Sequence, residues 1–418
     1  MTGEAAIYRF ISLQRSFSFY DNEMATEKSK PSSGLTLNTW LLAAASLFAD
    51  ISTEMLYPIL PTFLTQTLKS GGSVVGVIEG FAVAIQNIMQ GFSGWLSDKL
   101  QRRKPVALVG YALAALSKPL IGISTAWQGV LGARSLDRLG TGTRLAPRDA
   151  LIAASTDEKN RGAAFGLEGF GDNLGAFLGP LIAIGLLSYL AIEIRSVFLL
   201  AFIPGLLAFF MVLLVKEGKA KVQSKAKLEF NVRNFPAGYW KYLGITALFG
   251  IGNSANSFLI LQTQDIGASL QLTILIYAFF NLVAALISYP SGSLSDRFGR
   301  KNLLLISFVI FLVTYAGFAF SHNLIFIGLL FVVYGLFQGI YRSVGKAFAS
   351  DFFPQHLRAS GIGWYSATIG LSGLVASIVA GQLWDLVNHE AVFIYGALFA
   401  ALAGIALLFF APAPKARG

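Results

Sequence analysis

The chain has 418 residues, of which 55% are hydrophobic and only 13% are charged, and it has a formal net charge of +10 and no cysteine. Soluble domains carry roughly 25% charged residues, so this composition excludes an ordinary soluble domain and indicates a membrane protein. Without cysteine there are no disulfides, thiolate metal sites or cysteine nucleophiles. The positive charge does not predict a nucleic-acid partner, because the cations alternate between loops instead of sharing one soluble face.

Apolar runs of about 20 residues, the length that crosses a bilayer as a helix, recur along the whole chain. We therefore predict an all-α membrane protein with about twelve transmembrane helices in two six-helix, pseudo-symmetric bundles. The predicted spans are 38–64, 73–97, 105–124, 128–150, 162–190, 197–215, 239–263, 269–295, 302–321, 323–350, 359–386 and 391–410.

The cations lie in alternate loops, and the positive-inside rule then places both termini and the lysine-rich middle loop in the cytoplasm. We expect a multi-pass protein of the plasma membrane, which in a bacterium is the inner membrane. The predicted domains are a cytoplasmic tail (1–37), a first bundle (38–215), a cytoplasmic linker (216–238), a second bundle (239–411) and a cytoplasmic tail (412–418).

Three of the first spans carry charges or polar stripes. Asp50 and Glu54 lie four residues apart in the first span, on one helix face. Intramembrane carboxylates are candidates for ion or substrate handling, and a structural ion pair is the alternative. Lys118 in the third span is either a buried counter-ion or a substrate contact. The second span has a polar stripe, which predicts a face toward a cavity or another helix and consists of Glu79, Gln86, Asn87 and Gln90.

The fourth span is the most heavily charged, and a helix surrounded by lipid could not carry its charges. Helical spacing puts Asp137, Arg144 and Arg148 on one face and Arg134 and Arg138 on a neighbouring one. This arginine-rich surface either attracts an anionic substrate or pairs with carboxylates of adjacent spans. We expect pairing in the resting state, because arginine keeps its charge while a neighbouring carboxylate gains or loses a proton. The expected partners are Asp50, Glu54, Glu168 and Asp172.

The fifth span has glycines at every fourth position, including Gly175 and Gly179, and Pro180 follows them. Such a stripe lets another helix approach closely, and the proline allows a bend. We predict a hinge at these three residues; a stripe that only packs is the alternative.

The second half has fewer charges. Glycine, asparagine and glutamine residues make the seventh span breakable and favour a gate beside a cavity. Candidate cavity residues from both halves are Gln86, Asn87, Gln90, Asn253, Asn256, Tyr334, Gln338 and Tyr341. The three histidines are not clustered at ligand spacing and no catalytic motif is present, so we predict no metal site, no cofactor and no enzymatic activity.

Two loops share a Gly-x-Leu-Ser-Asp sequence followed by a basic turn. Their aspartates, Asp98 and Asp296, lie 198 residues apart (296 minus 98), close to half the chain length. Arg161 and Arg358 open a second matching pair of segments, 197 residues apart. These repeats predict two related halves. The residues assigned to this conformational motif are Gly94, Asp98, Arg102, Arg103, Arg148, Gly292, Asp296 and Arg300.

These features together resemble a transporter of the major facilitator superfamily, over nearly the whole chain. The 94–104 segment resembles the loop motif between the second and third helices. The resemblance implies that Asp98 contacts the fourth and eleventh helices and helps to lock one conformation, with Arg148 and the start of the eleventh helix near Arg358 as its candidate partners. The fourth span resembles the family's pattern at Arg138 and Gly142, but Arg144 stands where a second small residue is usual. The proton-coupling arginine is therefore one of Arg134, Arg138 and Arg144.

The 175–180 segment resembles the fifth-helix motif of the drug/proton antiporter branch. The resemblance implies a monomer that exports a small organic solute by alternating access, with lipid, the solute and protons as its partners. The alternatives are a proton-coupled importer, a metal-chelate (siderophore) transporter, a non-transporting sensor and a membrane-embedded enzyme.

Overall fold

The computed structural model describes residues 35–100, 102–157, 160–217, 235–353 and 358–410. The C-terminal tail and nearly all of the N-terminal tail and the predicted linker lie outside these ranges. The side chains of Asp98, Asp296 and Arg358 also lie outside the description, so the predicted lock at Asp98 stays a prediction. The described residues form helices joined by short connections, without a strand.

The first half contains the spans α1 (Leu37–Glu54), α2 (Gly72–Leu100), α3 (Arg103–Ile123), α4 (Trp127–Ala154), α5 (Arg161–Ser188) and α6 (Phe202–Leu214). Thr36 caps α1 by accepting the N–H of Thr39 at 3.3 Å. As Pro58 and Pro61 predict, α1 stops before them, and a short helix (Leu60–Thr62) and a π-helical turn (Phe63–Thr67) complete the span. A short helix, Ile194–Leu200, precedes α6.

The second half contains α7 (Ala237–Gly252), α8 (Leu270–Phe298), α9 (Arg300–Phe320), α10 (Leu324–Asp351), α11 (Arg358–Leu386) and α12 (His389–Phe410). The seventh span breaks after Gly252 and resumes as a helix over Ser257–Asp265, which confirms the predicted interruption. Ser269 and Asn323 cap α8 and α10 through their side chains.

Ten helical segments of the described residues are long and apolar enough to cross a membrane. The two predicted spans outside that set begin with α1 and α4, and both carry intramembrane charges. Both pack among other helices: α1 against α5 and α6, and α4 against α2 and α3. Their charges are therefore placed against protein, as the cost of a charge in lipid requires.

The basic loops bind equivalent carbonyl groups in the two halves. Arg103 donates to the carbonyl oxygen of Ala150 near the end of α4, at 3.2 Å. Arg300 donates to that of Ala347 near the end of α10, at 2.5 Å. The next lysine in each loop binds a carbonyl oxygen at the end of α6 or α12. The repeat seen in the sequence is therefore a structural one, and its cations tie helix ends together within each bundle.

Two helix pairs carry the main packing between the halves: α2 with α11, and α5 with α8. Small residues allow the first pair to approach closely. A Cβ atom on Gly76 would lie 2.1 Å from the carbonyl oxygen of Ser377, and one on Gly381 would lie 2.6 Å from that of Gly72. Side chains are excluded there so that the two backbones can touch.

Candidate functional site

The charged residues in the first half of α4 form a buried network of ion pairs. Arg134 forms a bidentate ion pair with Glu79 of α2, with Nε 3.1 Å from Oε1 and Nη2 3.2 Å from Oε2. Its Nη1 donates to Oδ2 of Asp137 at 2.9 Å. Lys118 of α3 places Nζ 2.6 Å from Oδ1 of Asp137. These four side chains are at most 3% exposed, so each charge depends on its partners. Arg138 adds a longer ion pair to Asp137, with Nε 3.6 Å from Oδ2.

This network corrects part of the expected pairing. Arg134 binds Glu79 and Asp137, not the carboxylates of the first or fifth span. Lys118 is the counter-ion of Asp137, one of the two roles predicted for it. Glu79 belongs to the predicted polar stripe of the second span. It is the one carboxylate of that stripe, and this is the feature of the sequence that marks it as an ion-pair partner.

A second ion pair, nearer the end of α4, has a longer distance between its charged atoms. Nη2 of Arg144 lies 3.5 Å from Oδ1 of Asp50 on α1, and Asp172 of α5 faces the same carboxyl group. The guanidinium stacks over Tyr111, 4.7 Å from the ring centroid. Its Nε and Nη1 are buried and have no hydrogen-bond partner among the described residues. Arg144 is therefore paired with Asp50 at a long distance and is not saturated with hydrogen bonds, and Asp50 itself has Asp172 beside it.

The third arginine, Arg148, is tightly held. Its Nη1 lies 2.8 Å from Oε1 of Glu168 on α5, and Ser46 of α1 bonds to both groups, at 2.6 Å from Arg148 and 2.7 Å from Glu168. Asp149 adds a contact at 2.9 Å. The predicted pairing of Arg148 with a fifth-span carboxylate is thus present, within the first bundle.

The glycine stripe of α5 lies directly on α1. A Cβ on Gly175 would meet the carbonyl oxygen of Leu47 at 2.5 Å and the Cβ of Asp50 at 2.9 Å. One on Gly179 would meet the Cβ of Glu54 at 3.0 Å. The stripe brings the two helices close enough for Asp172 of α5 to lie beside Asp50 of α1. Pro180 lies inside α5 without ending it.

Glu54 links the two bundles. Its Oε2 accepts the hydroxyl of Tyr277 on α8 at 3.0 Å, with Asn281 of α8 at 3.5 Å. Arg138 of α4 lies within electrostatic range of Glu54 and donates to Gln86 at 3.0 Å. Glu54, which helical spacing placed beside Asp50, thus differs from it by contacting the opposite half.

The remaining cavity candidates separate into two groups. Tyr334 and Tyr341 are buried in the aromatic core of the second bundle and do not line the inter-bundle space in this conformation; Tyr334 donates to Asn256 at 2.9 Å. The others, Asn87, Gln90, Asn253 and Gln338, are partly exposed. In the described ranges, no group of three or more acidic or histidine side chains is placed to hold a metal ion.

Polar contacts close the boundary between the bundles at the end opposite the basic loops. Thr62 of the first half and Gln264 of the second hydrogen-bond at 2.7 and 3.1 Å. Asp385 of α11 accepts the backbone N–H groups of Gly72 and Ser73, at 2.7 and 2.8 Å. The bundles are therefore joined at this end.

Two helical bundles with buried intramembrane charges and polar contacts across their boundary form the architecture of a secondary transporter. The chain belongs to the Major Facilitator Superfamily, whose family model matches residues 42–254 and 242–418. The resemblance inferred from the loop motif is thereby confirmed. Membership makes the chain a multi-pass membrane transporter of a small-molecule substrate.

Among curated proteins, the chain is 33% identical to an uncharacterized MFS-type transporter of Methanocaldococcus jannaschii, over 90% of this chain and 95% of that one. It is 28% identical to a probable 4-methylmuconolactone transporter of Cupriavidus pinatubonensis, over 91% and 90% of the two chains. Among solved structures it is similar to the nucleoside transporter NupG, with a TM-score of 0.73 and 15% identity over 89% of this chain and 98% of that one. This last likeness shows the fold alone.

Proposed function

We propose that the protein exports a small organic solute in exchange for protons, by alternating access of its two bundles. The observation that carries the proposal is the incomplete pairing of Arg144, which faces Asp50 at 3.5 Å with Asp172 beside it. A proton on Asp50 changes the charge that Arg144 faces, which is what a coupling site has to do.

A structural path leads from this site to the other bundle. Asp50 lies against Gly175 of α5, and α5 packs on α8 of the second half. Four residues further along α1, Glu54 receives the Tyr277 hydroxyl from α8. A change in the Asp50 pair therefore acts beside both contacts that join α1 and α5 to the second bundle. A shift of a few kcal/mol is enough to switch a two-state protein.

Two observations support the direction and the class of substrate. The 175–180 segment resembles the motif of exporters that work as proton antiporters, and its glycines form the contact with α1 described above. A relative of nearly equal length is named as a transporter of a small organic compound, 4-methylmuconolactone.

The test is proton movement in liposomes that contain the pH dye pyranine. The outside receives benzenesulfonate, benzyltrimethylammonium or phenyl glucoside, which represent anionic, cationic and neutral aromatic solutes. Antiport expels protons as the solute enters, so the internal pH rises; symport lowers it, which would reverse the proposed direction. We expect Asp50→Asn to abolish the pH change, and Asp157→Asn, at an exposed loop position, to preserve it. Solute entry by the wild type without a pH change would refute coupling.

A further inference from the structure

The two halves differ in the basic residues of α4 and α10. The two helices correspond at a separation of 197 residues, since α4 begins at Trp127 and α10 at Leu324. At that separation Arg144 corresponds to Tyr341 and Arg148 to Gly345, so Arg342 and Lys346 are cations that belong to the second half alone.

The carboxylates that pair with the α4 arginines have no acidic counterparts in the second half either. In the first bundle Arg144 faces Asp50, and Arg148 binds Glu168. The counterpart of α1 is α7, which contains no aspartate or glutamate. With the 197-residue separation of the fifth and eleventh spans, Glu168 corresponds to Tyr365, and Asp172 likewise corresponds to an isoleucine. The second bundle therefore has its own cations on α10 and lacks the carboxylates that would pair with them at the first bundle's positions.

Arg342 and Lys346 are accordingly exposed, and neither forms an ion pair or a hydrogen bond with any residue that the structure describes. Arg342 lies toward the other bundle, because it is within electrostatic range of Glu54 on α1. Lys346 follows one turn later on the same face of α10. Arg138 of the first bundle is also within electrostatic range of Glu54, but it has a carboxylate partner, because its Nε lies 3.6 Å from Oδ2 of Asp137.

A cation in a membrane protein without a carboxylate partner is expensive and is a candidate for binding a substrate or an ion. We propose that Arg342, assisted by Lys346, binds the carboxylate of an organic-anion substrate. The first bundle then performs coupling with its paired arginines, and the second bundle performs anion recognition with its unpaired cations. This inference rests on the proposed transport function and names its substrate class.

The test is binding to the purified full-length chain in detergent, with no gradient present. The probes are benzoate, hexanoate and adipate, each compared with its uncharged amide, and the readout is the affinity obtained from thermal stabilisation. We expect carboxylates to bind and amides not to. Arg342→Gln should weaken carboxylate binding about tenfold or more, as expected for loss of a charge-assisted hydrogen bond. Arg342→Lys should retain part of the affinity.

The matched control is Lys241→Gln, which removes an exposed cation of the same bundle at the start of α7 and should leave affinity unchanged. The inference is overturned if no carboxylate binds, if amides bind equally well, or if Arg342→Gln binds like the wild type. Binding is measured without proton flux, so such a result leaves the liposome test of coupling unaffected. Conversely, carboxylate binding without proton flux would retain this site and reject antiport.

Discussion

Asp385 caps α2 from the other half of the molecule: its Oδ1 lies 2.7 Å from the backbone nitrogen of Gly72. Its Oδ2 lies 2.8 Å from the nitrogen of Ser73, so one carboxylate of α11 satisfies two N–H groups at the start of α2. A helix cap is normally local in sequence. Here it lasts only while the two bundles are closed at this end, which makes it a contact specific to one conformation.

Replacing Asp385 by alanine should therefore favour opening of this end. Loss of an N-cap costs about 1 kcal/mol, which shifts the ratio of conformations about fivefold. The measurement is the distance distribution between spin labels on Gln66→Cys and Asn388→Cys, which are unique sites because the chain has no cysteine. Glu193→Ala, at an exposed position, is the control. Unchanged distances in the Asp385 variant would show that the cap does not stabilise closure.

Tyr277→Phe should weaken the same boundary nearer its middle. The substitution removes the hydroxyl that donates to Glu54 at 3.0 Å and keeps the ring, which stacks on Tyr57 with centroids 5.5 Å apart. A hydrogen bond to a charged group contributes about 1.5–3 kcal/mol, so the closed fraction should fall about tenfold or more relative to the open one. The same spin-label pair measures it. Tyr315→Phe, whose hydroxyl lies 3.4 Å from Ser254 within one bundle, should leave the distances as in the wild type.

Gly175→Ala should separate α5 from α1. The added Cβ would lie 2.5 Å from the Leu47 carbonyl oxygen and 2.9 Å from the Cβ of Asp50, and the backbone oxygen cannot move aside. We expect a loss of about 1–3 kcal/mol in stability, measured as a lower unfolding temperature in detergent, and a loss of solute-dependent pH change in liposomes. Gly185→Ala, on the same helix with open space around its Cβ position, should be neutral. Equal behaviour of the two variants would refute the close-contact interpretation.

Lys118→Met should be strongly destabilising. It removes the nearest cation of Asp137, 2.6 Å away, in a region where both side chains are almost fully buried. Asp137 keeps Arg134 at 2.9 Å and Arg138 at 3.6 Å, so the loss is that of one charged hydrogen bond, about 1.5–3 kcal/mol, which a fall in the detergent unfolding temperature would report. Adding Asp137→Asn should destabilise the protein further, because it removes the carboxylate that both arginines still contact. A double variant more stable than Lys118→Met would contradict this account.

The hydropathy pattern of the sequence and its proline and glycine positions predicted the coarse architecture. The length of an apolar run has to match the bilayer, so hydropathy identified the spans, and the proline and glycine positions identified the breaks after α1 and α7. Helical periodicity placed the arginines of α4 on inward faces, because a lipid-facing surface cannot carry them.

Only the tertiary structure determines which charged side chains form ion pairs with each other. Periodicity gives the face of a helix but neither its neighbour nor the relative depth of two side chains, so it could not distinguish Glu79 from Asp50 as the partner of Arg134. The cap by Asp385 and the bond from Tyr277 to Glu54 join residues that lie far apart in the sequence. Local sequence carries no signal for such contacts, because they depend on how two separately formed bundles meet.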